Sequence, residues 1–182
     1  MARSRIKQIT TMGILMAISI ILVVSPLQFP FPTAPFLVYE PGDVPILLGG
    51  FIFGPASGIV LTVITSVVQS VTVGKDGIFG CIMHILATSA LVGISSFIYV
   101  KKKTFKRAIL GVIFGSFGMT AVMAVLNLAL DPVFYGMSFE AVAKLMIPAI
   151  LPFNLMKAGI NSVVFLLIYK STGRLLLSIV EK

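Results

Sequence analysis

Tryptophan is absent, cysteine and histidine occur once each, and only six of 182 side chains are acidic. A single cysteine, Cys81, excludes an internal disulfide and, with His84 as the only histidine, leaves no Cys/His spacing for a metal centre. There is no G-x-x-x-x-G-K-[ST] phosphate loop and no H-E-x-x-H pair, and GKDGIFG (residues 74–80) is too short and wrongly ordered for a dinucleotide fingerprint. Work driven by ATP therefore has to come from another chain. Catalysis needs a nucleophile beside a base, or paired carboxylates in a cavity, and the carboxylates here fall mostly in loops. No catalytic residue, metal or resident cofactor is expected.

What the chain has in quantity is apolar side chain: 58% of residues are hydrophobic and 11% charged, against the quarter or so that is charged in soluble domains. Apolar runs fall at Lys7 to Pro26, Asp43 to Phe53, Ala56 to Val73, Ile78 to Val100, Ala108 to Leu130 and Ala141 to Tyr169. A crossing helix needs about 20 apolar residues, so the expectation is an all-α membrane protein, a bundle of six transmembrane helices forming one domain over residues 1–182. The second run is short for a full crossing and has to be tilted, extended or shielded by the preceding loop. The first follows a basic start as a signal peptide would, but it is long and no A-x-A-like cleavage site follows, so it reads as the first span.

The net charge of +8 fits nucleic acid less well than membrane orientation, because the basic residues sit in short clusters between apolar runs. With both termini cytoplasmic, Arg3, Arg5, Lys7, the run Lys101, Lys102, Lys103, Lys106 and Arg107, and then Lys170, Arg174 and Lys182 all lie inside. Glu40, Asp43, Asp76, Asp131 and Glu140 then fall at or near the outer face. The loop PLQFPFPTAPFLVYEPGDVP, with six prolines, resists helix and is either a lid over a cavity or an interfacial aromatic belt.

Small residues four apart mark close helix approach in lipid. They occur as Gly13 and Ala17, as Gly50, Gly54 and Gly58, and as Gly111 and Gly115. Each set serves either internal packing or docking of another membrane subunit. Polar faces are more informative, since an unpartnered polar group in hydrocarbon costs several kcal/mol. Thr62, Thr65 or Ser66, and Gln69 share one face; so do His84, Thr88 and Ser95; Ser116, Thr120 and Asn127; and Asn154, Lys157 and Asn161. At about 1.5 Å per residue, Lys157, His84 and Asn127 lie roughly 20, 25 and 30 Å from the nearest inner basic markers, in the outer half. A lysine at that depth either lines a site or snorkels outward.

Three segments together, FLVYEPGDVPILLGGFIFGPASG (36–58), LNLALDPVFYG (126–136) and PFNLMKAGINS (152–162), resemble the riboflavin-specific substrate-binding subunits of energy-coupling-factor (ECF) transporters, and the likeness spans almost the whole chain. The resemblance implies six helices in the bacterial plasma membrane, an outward-facing vitamin site capped by the first outer loop, and assembly with a membrane coupling subunit and two cytoplasmic ATPases. Riboflavin is then cargo. Carried over by motif, Asn127 and Lys157 are the expected ligand contacts. An amide offers both donor and acceptor to the pyrimidine edge of a flavin, and an ammonium offers donors. Phe36, Leu37, Tyr39 and Tyr135 would wall the ring system, Glu40 and Asn154 would meet the ribityl hydroxyls, and His84 is a further candidate. Gly13 and Ala17 take the place of the family's alanine docking motif, with glycine at its first position.

Two other functions remain open. Another vitamin is one, although the lack of Trp disfavours an indole cage for thiamin and the lack of Arg in the outer half disfavours a carboxylate vitamin. A self-sufficient carrier is the other, although no acidic residue is expected mid-span to bind a coupling ion and no inverted repeat is visible.

Overall fold

A computed structural model describes residues 2–72 and 77–181, with side chains over 5–72 and 77–171. Asp76 and Lys182 lie outside the described residues, as do the side chains of Arg3 and Arg174. The elements in chain order are α1 (Ala2–Val24), β1 (Phe29–Phe31), β2 (Ala34–Tyr39), α2 (Asp43–Phe53), α3 (Pro55–Thr72), α4 (Gly77–Val100), α5 (Phe105–Tyr135), α6 (Phe139–Leu145), a π-helical stretch (Met146–Ile150) and α7 (Leu151–Glu181). Five helical runs are long and apolar enough to cross a membrane, the last being Phe139–Ser171, and α2 is a sixth, shorter apolar helix.

The proline-rich loop is neither helical nor loose. Its φ-restricted residues favour extended backbone, and β1 pairs antiparallel with β2, Phe29 opposite Tyr39 and Pro30 opposite Val38. The hairpin lies over one end of the bundle. Thr33 at its turn donates to the Pro148 carbonyl at 3.2 Å, and Phe31 meets Phe153 edge-on at 5.7 Å. Pro152 has no N–H to give that carbonyl in the α-helical pattern, and the chain widens there into the π stretch.

The length of α2 explains its environment. Eleven residues make a helix of about 16 Å, roughly half the neighbouring ones, so the turn before it is drawn inside the bundle. Every residue from Asp43 to Ile52 is buried, between α1, α3, α4 and α7. The shielding of this short span comes from the four helices around it. Glu40, Asp43 and Asp131, expected at or near the outer face, are buried within the protein, at 9%, 0% and 5% exposed.

The small-residue sets divide cleanly. A Cβ on Gly111 would lie 2.5 Å from the Ser95 carbonyl, and one on Gly115 would lie 2.6 Å from that of Leu91, so α5 packs backbone to backbone on α4. Gly58 meets Gly50 in the same way, while Gly54, at φ 93°, makes the tight turn from α2 into α3. Gly13 and Ala17, in contrast, are exposed on α1, and a Cβ on Gly13 would touch nothing within 4 Å. Only that pair faces away from the bundle.

Candidate ligand-binding site

Beneath the hairpin, the polar faces of α3, α4, α5 and α7 converge on a cavity of about 420 Å³. Phe36, Leu37, Glu40, His84, Asn127, Tyr135, Asn154 and Lys157 all line it. Tyr39 does not: its ring stacks on Phe29 at 4.7 Å and its hydroxyl donates to Asn161 Oδ1 at 2.8 Å, which makes it part of the hairpin's attachment. Cys81 stands on the cavity wall.

The floor of the cavity is a charge network. Lys157 Nζ donates to Glu40 Oε1 at 3.2 Å, and Gln69 Nε2 donates to Glu40 Oε2 at 2.8 Å. Glu40 is thus neither a solvated charge nor free to receive hydroxyls alone. Lys157, 8% exposed, is held inward and does not snorkel. Asp43 opens α2, where the exposed N–H groups of a helix start favour a carboxylate; its two oxygens accept from Thr88 at 2.9 Å and from Asn161 at 3.1 Å. Asn161 is used completely, since its other donor goes to the Glu40 carbonyl at 3.3 Å and its oxygen takes Tyr39. His84 Nε2 lies 3.2 Å from Asp43 and 3.6 Å from Glu40, and its Nδ1 is 2.6 Å from Ser66. Nε2 thus faces both carboxylates.

Most hydroxyls in the spans bond their own helix, as Thr62 to Gly58, Ser66 to Thr62 and Thr120 to Ser116. Several groups on the cavity wall stay unmatched. Asn154 Oδ1, Gln69 Oε1 and His84 Nε2 are buried without a hydrogen-bond partner among the described residues, and buried polar atoms are ordinarily satisfied. Asn154 and Asn127 each turn their amide nitrogen to a carbonyl of their own helix, Ile150 at 2.8 Å and Met123 at 2.7 Å. Apolar walls come from Phe79, Phe153 and the adaptable side chains of Met83, Met119 and Met123.

Sequence reasoning missed Asp43, Gln69 and Asp131 as members of this site. Gln69 was legible as the end of a polar face, and Asp131 as one turn beyond Asn127. Asp43 carried no signal, because only the depth of α2 makes its burial necessary.

A mostly apolar cavity with a few convergent polar groups, built among helices of membrane-spanning length, is the arrangement of an integral membrane protein that binds a small molecule. The chain matches the family described as ECF transporter, substrate-specific component, over residues 7–169, and it belongs to that family. It is 30% identical over 177 residues to the riboflavin transporter RibU of Staphylococcus aureus (strain TCH60), covering 93% of this chain and 92% of the relative. It is 29% identical over 175 residues to the riboflavin transporter FmnP of Bacillus subtilis (strain 168), covering 91% of each. Its fold matches a solved S component of a bacterial ECF transporter with a TM-score of 0.81 at 30% identity, covering 94% of this chain and 98% of that one. The protein is a multi-pass protein of the cell membrane and belongs to a family of transporter components rather than of enzymes.

Proposed function

We propose that this protein is the riboflavin-binding subunit of an ECF vitamin importer. The observation that carries the reading is the pairing of unmatched amide and imidazole atoms with aromatic and methionine walls in one cavity, a chemistry suited to a flat heteroaromatic ring with a hydrogen-bonding edge. Its relatives bear the name riboflavin transporter, and the family relation agrees with it. Asn127, Asn154 and Lys157 take the pyrimidine edge, Phe36, Leu37 and Tyr135 wall the rings, and Glu40 and His84 complete the polar floor.

Six crossings with both termini cytoplasmic put the cavity on the outer side, with the hairpin as its cap. Energy comes from a membrane coupling subunit and two cytoplasmic ATPases. The exposed Gly13 and Ala17 on α1 mark the docking face. A self-sufficient carrier is less well supported. The buried Asp43 and Asp131 remove the argument that no acid lies inside the bundle, but both oxygens of Asp43 are already taken by hydrogen bonds.

Titration of the purified chain with riboflavin, without ATP or partners, should quench flavin fluorescence, and the protein as purified should absorb as a flavin if cargo is retained. Gly13→Trp and Ala17→Trp should impair uptake in the full transporter while sparing binding. Absence of riboflavin binding alongside tight binding of another vitamin would move the substrate assignment, and accumulation by this chain alone in vesicles would favour the carrier.

A further inference from the structure

Asp131 has no role in the network described above. It is 5% exposed, it lines the cavity, and no described cation lies within ion-pair distance of it. Its place on α5 is informative. Asn127 is one turn deeper and buried, while Tyr135 is one turn further out and 51% exposed, so Asp131 stands between the cavity interior and its mouth. A chain leading from a ring bound at Asn127 toward solvent has to pass this carboxylate.

Among the described residues, the other charges leave nothing to offset it. Among the described residues, the cationic candidates on the cavity wall are Lys157 and His84, and each stands against another carboxylate: Lys157 against Glu40 at 3.2 Å, His84 against Asp43 at 3.2 Å. A carboxylate accepts hydrogen bonds from hydroxyl groups readily and repels a second anion, and low-dielectric walls concentrate that repulsion. We propose that Asp131 determines specificity: it accepts hydrogen bonds from the hydroxyl chain of a neutral flavin and excludes a flavin whose chain ends in phosphate. This rests on the flavin reading above.

The test compares riboflavin with its 5′-phosphate by fluorescence titration of the wild-type chain, Asp131→Asn and Asp131→Glu. The wild type should bind the phosphate ester at least about tenfold more weakly, because it adds negative charge beside an uncompensated one. Asp131→Asn, which keeps the shape and one acceptor oxygen, should weaken riboflavin a few-fold and strengthen the phosphate ester, closing most of that gap. Asp131→Glu should retain the discrimination. A purely structural role would weaken both ligands together. If Asp131→Asn no longer binds riboflavin, the ratio is read in Asp131→Ser with the same expectation. Riboflavin binding with a ratio that the neutral variants leave unmoved overturns the specificity assignment alone, whereas failure of the wild type to bind riboflavin overturns the functional reading and this inference with it.

Discussion

The two ends of α2 are solved in opposite ways. At its start, Asp43 and the adjoining Glu40 are satisfied by Thr88, Asn161, Gln69 and Lys157 from three other helices, with each contact directional. At its finish, Phe51 sits in an aromatic box, 4.5 Å from Tyr99 and 4.4 Å from Phe165, with Tyr99 and Tyr169 sharing a hydrogen bond of 2.6 Å. The aromatic end is closed and nearly complete in itself. The polar end is closed below and open above, toward the cavity. A short helix thus joins an aromatic anchor to a polar floor, and it is the floor that faces the cavity.

The largest effect is expected at Lys157. Had the ammonium been unpaired, its removal would have relieved a desolvation penalty and stabilised the protein without vitamin. The ion pair reverses that expectation. Lys157→Met leaves Glu40 buried without its cation, and breaking a buried pair costs about 3–5 kcal/mol. Thermal unfolding in detergent should show the loss, and riboflavin affinity should fall at least about tenfold. Adding Glu40→Gln should recover part of the stability and little of the affinity. Equal stability of Lys157→Met and wild type would dissolve the contrast between the two ends.

Phe51→Ala tests the other end. Loss of a buried aromatic should cost about 3 kcal/mol in thermal stability, with riboflavin affinity measured below the melting range unchanged. A parallel fall in affinity would mean that the anchor and the floor move together.

Acid should loosen the polar end first. Burial pushes the Glu40 carboxyl up, but Lys157 and His84 outweigh it and hold it below its ordinary value of 4.5. The folded state therefore gains stability from Glu40 above pH 4.5 and loses it as pH falls through the depressed folded value. Hydrogen exchange of the hairpin should rise in that window before the amides around Phe51 respond, and Glu40→Gln should abolish the difference.

The smallest effect concerns the hairpin tip. Thr33→Val removes one exposed hydrogen bond to Pro148, worth about 0.5–1 kcal/mol, so riboflavin should dissociate a few-fold faster in stopped-flow chase while stability is unchanged. An unchanged off-rate would show that Phe31 against Phe153 holds the cap by itself.

Hydrophobic runs, basic clusters and spacing along single helices were enough to place every long helix, to select the polar faces of α3, α4, α5 and α7, and to bring Asn127, Asn154, Lys157 and His84 to one side. Those are local properties, since periodicity follows from the helix itself. Spacing alone could not say which small residues face outward, because Gly13 and Gly111 have identical signals and differ only in what stands opposite; it was the family resemblance that singled out Gly13 and Ala17. The partners of Glu40 and Asp43 were equally hidden: Lys157 and Asn161 lie more than a hundred positions away. Burial of two carboxylates becomes tolerable only when a short α2 draws them between helices that carry their donors, and that is a decision of tertiary packing.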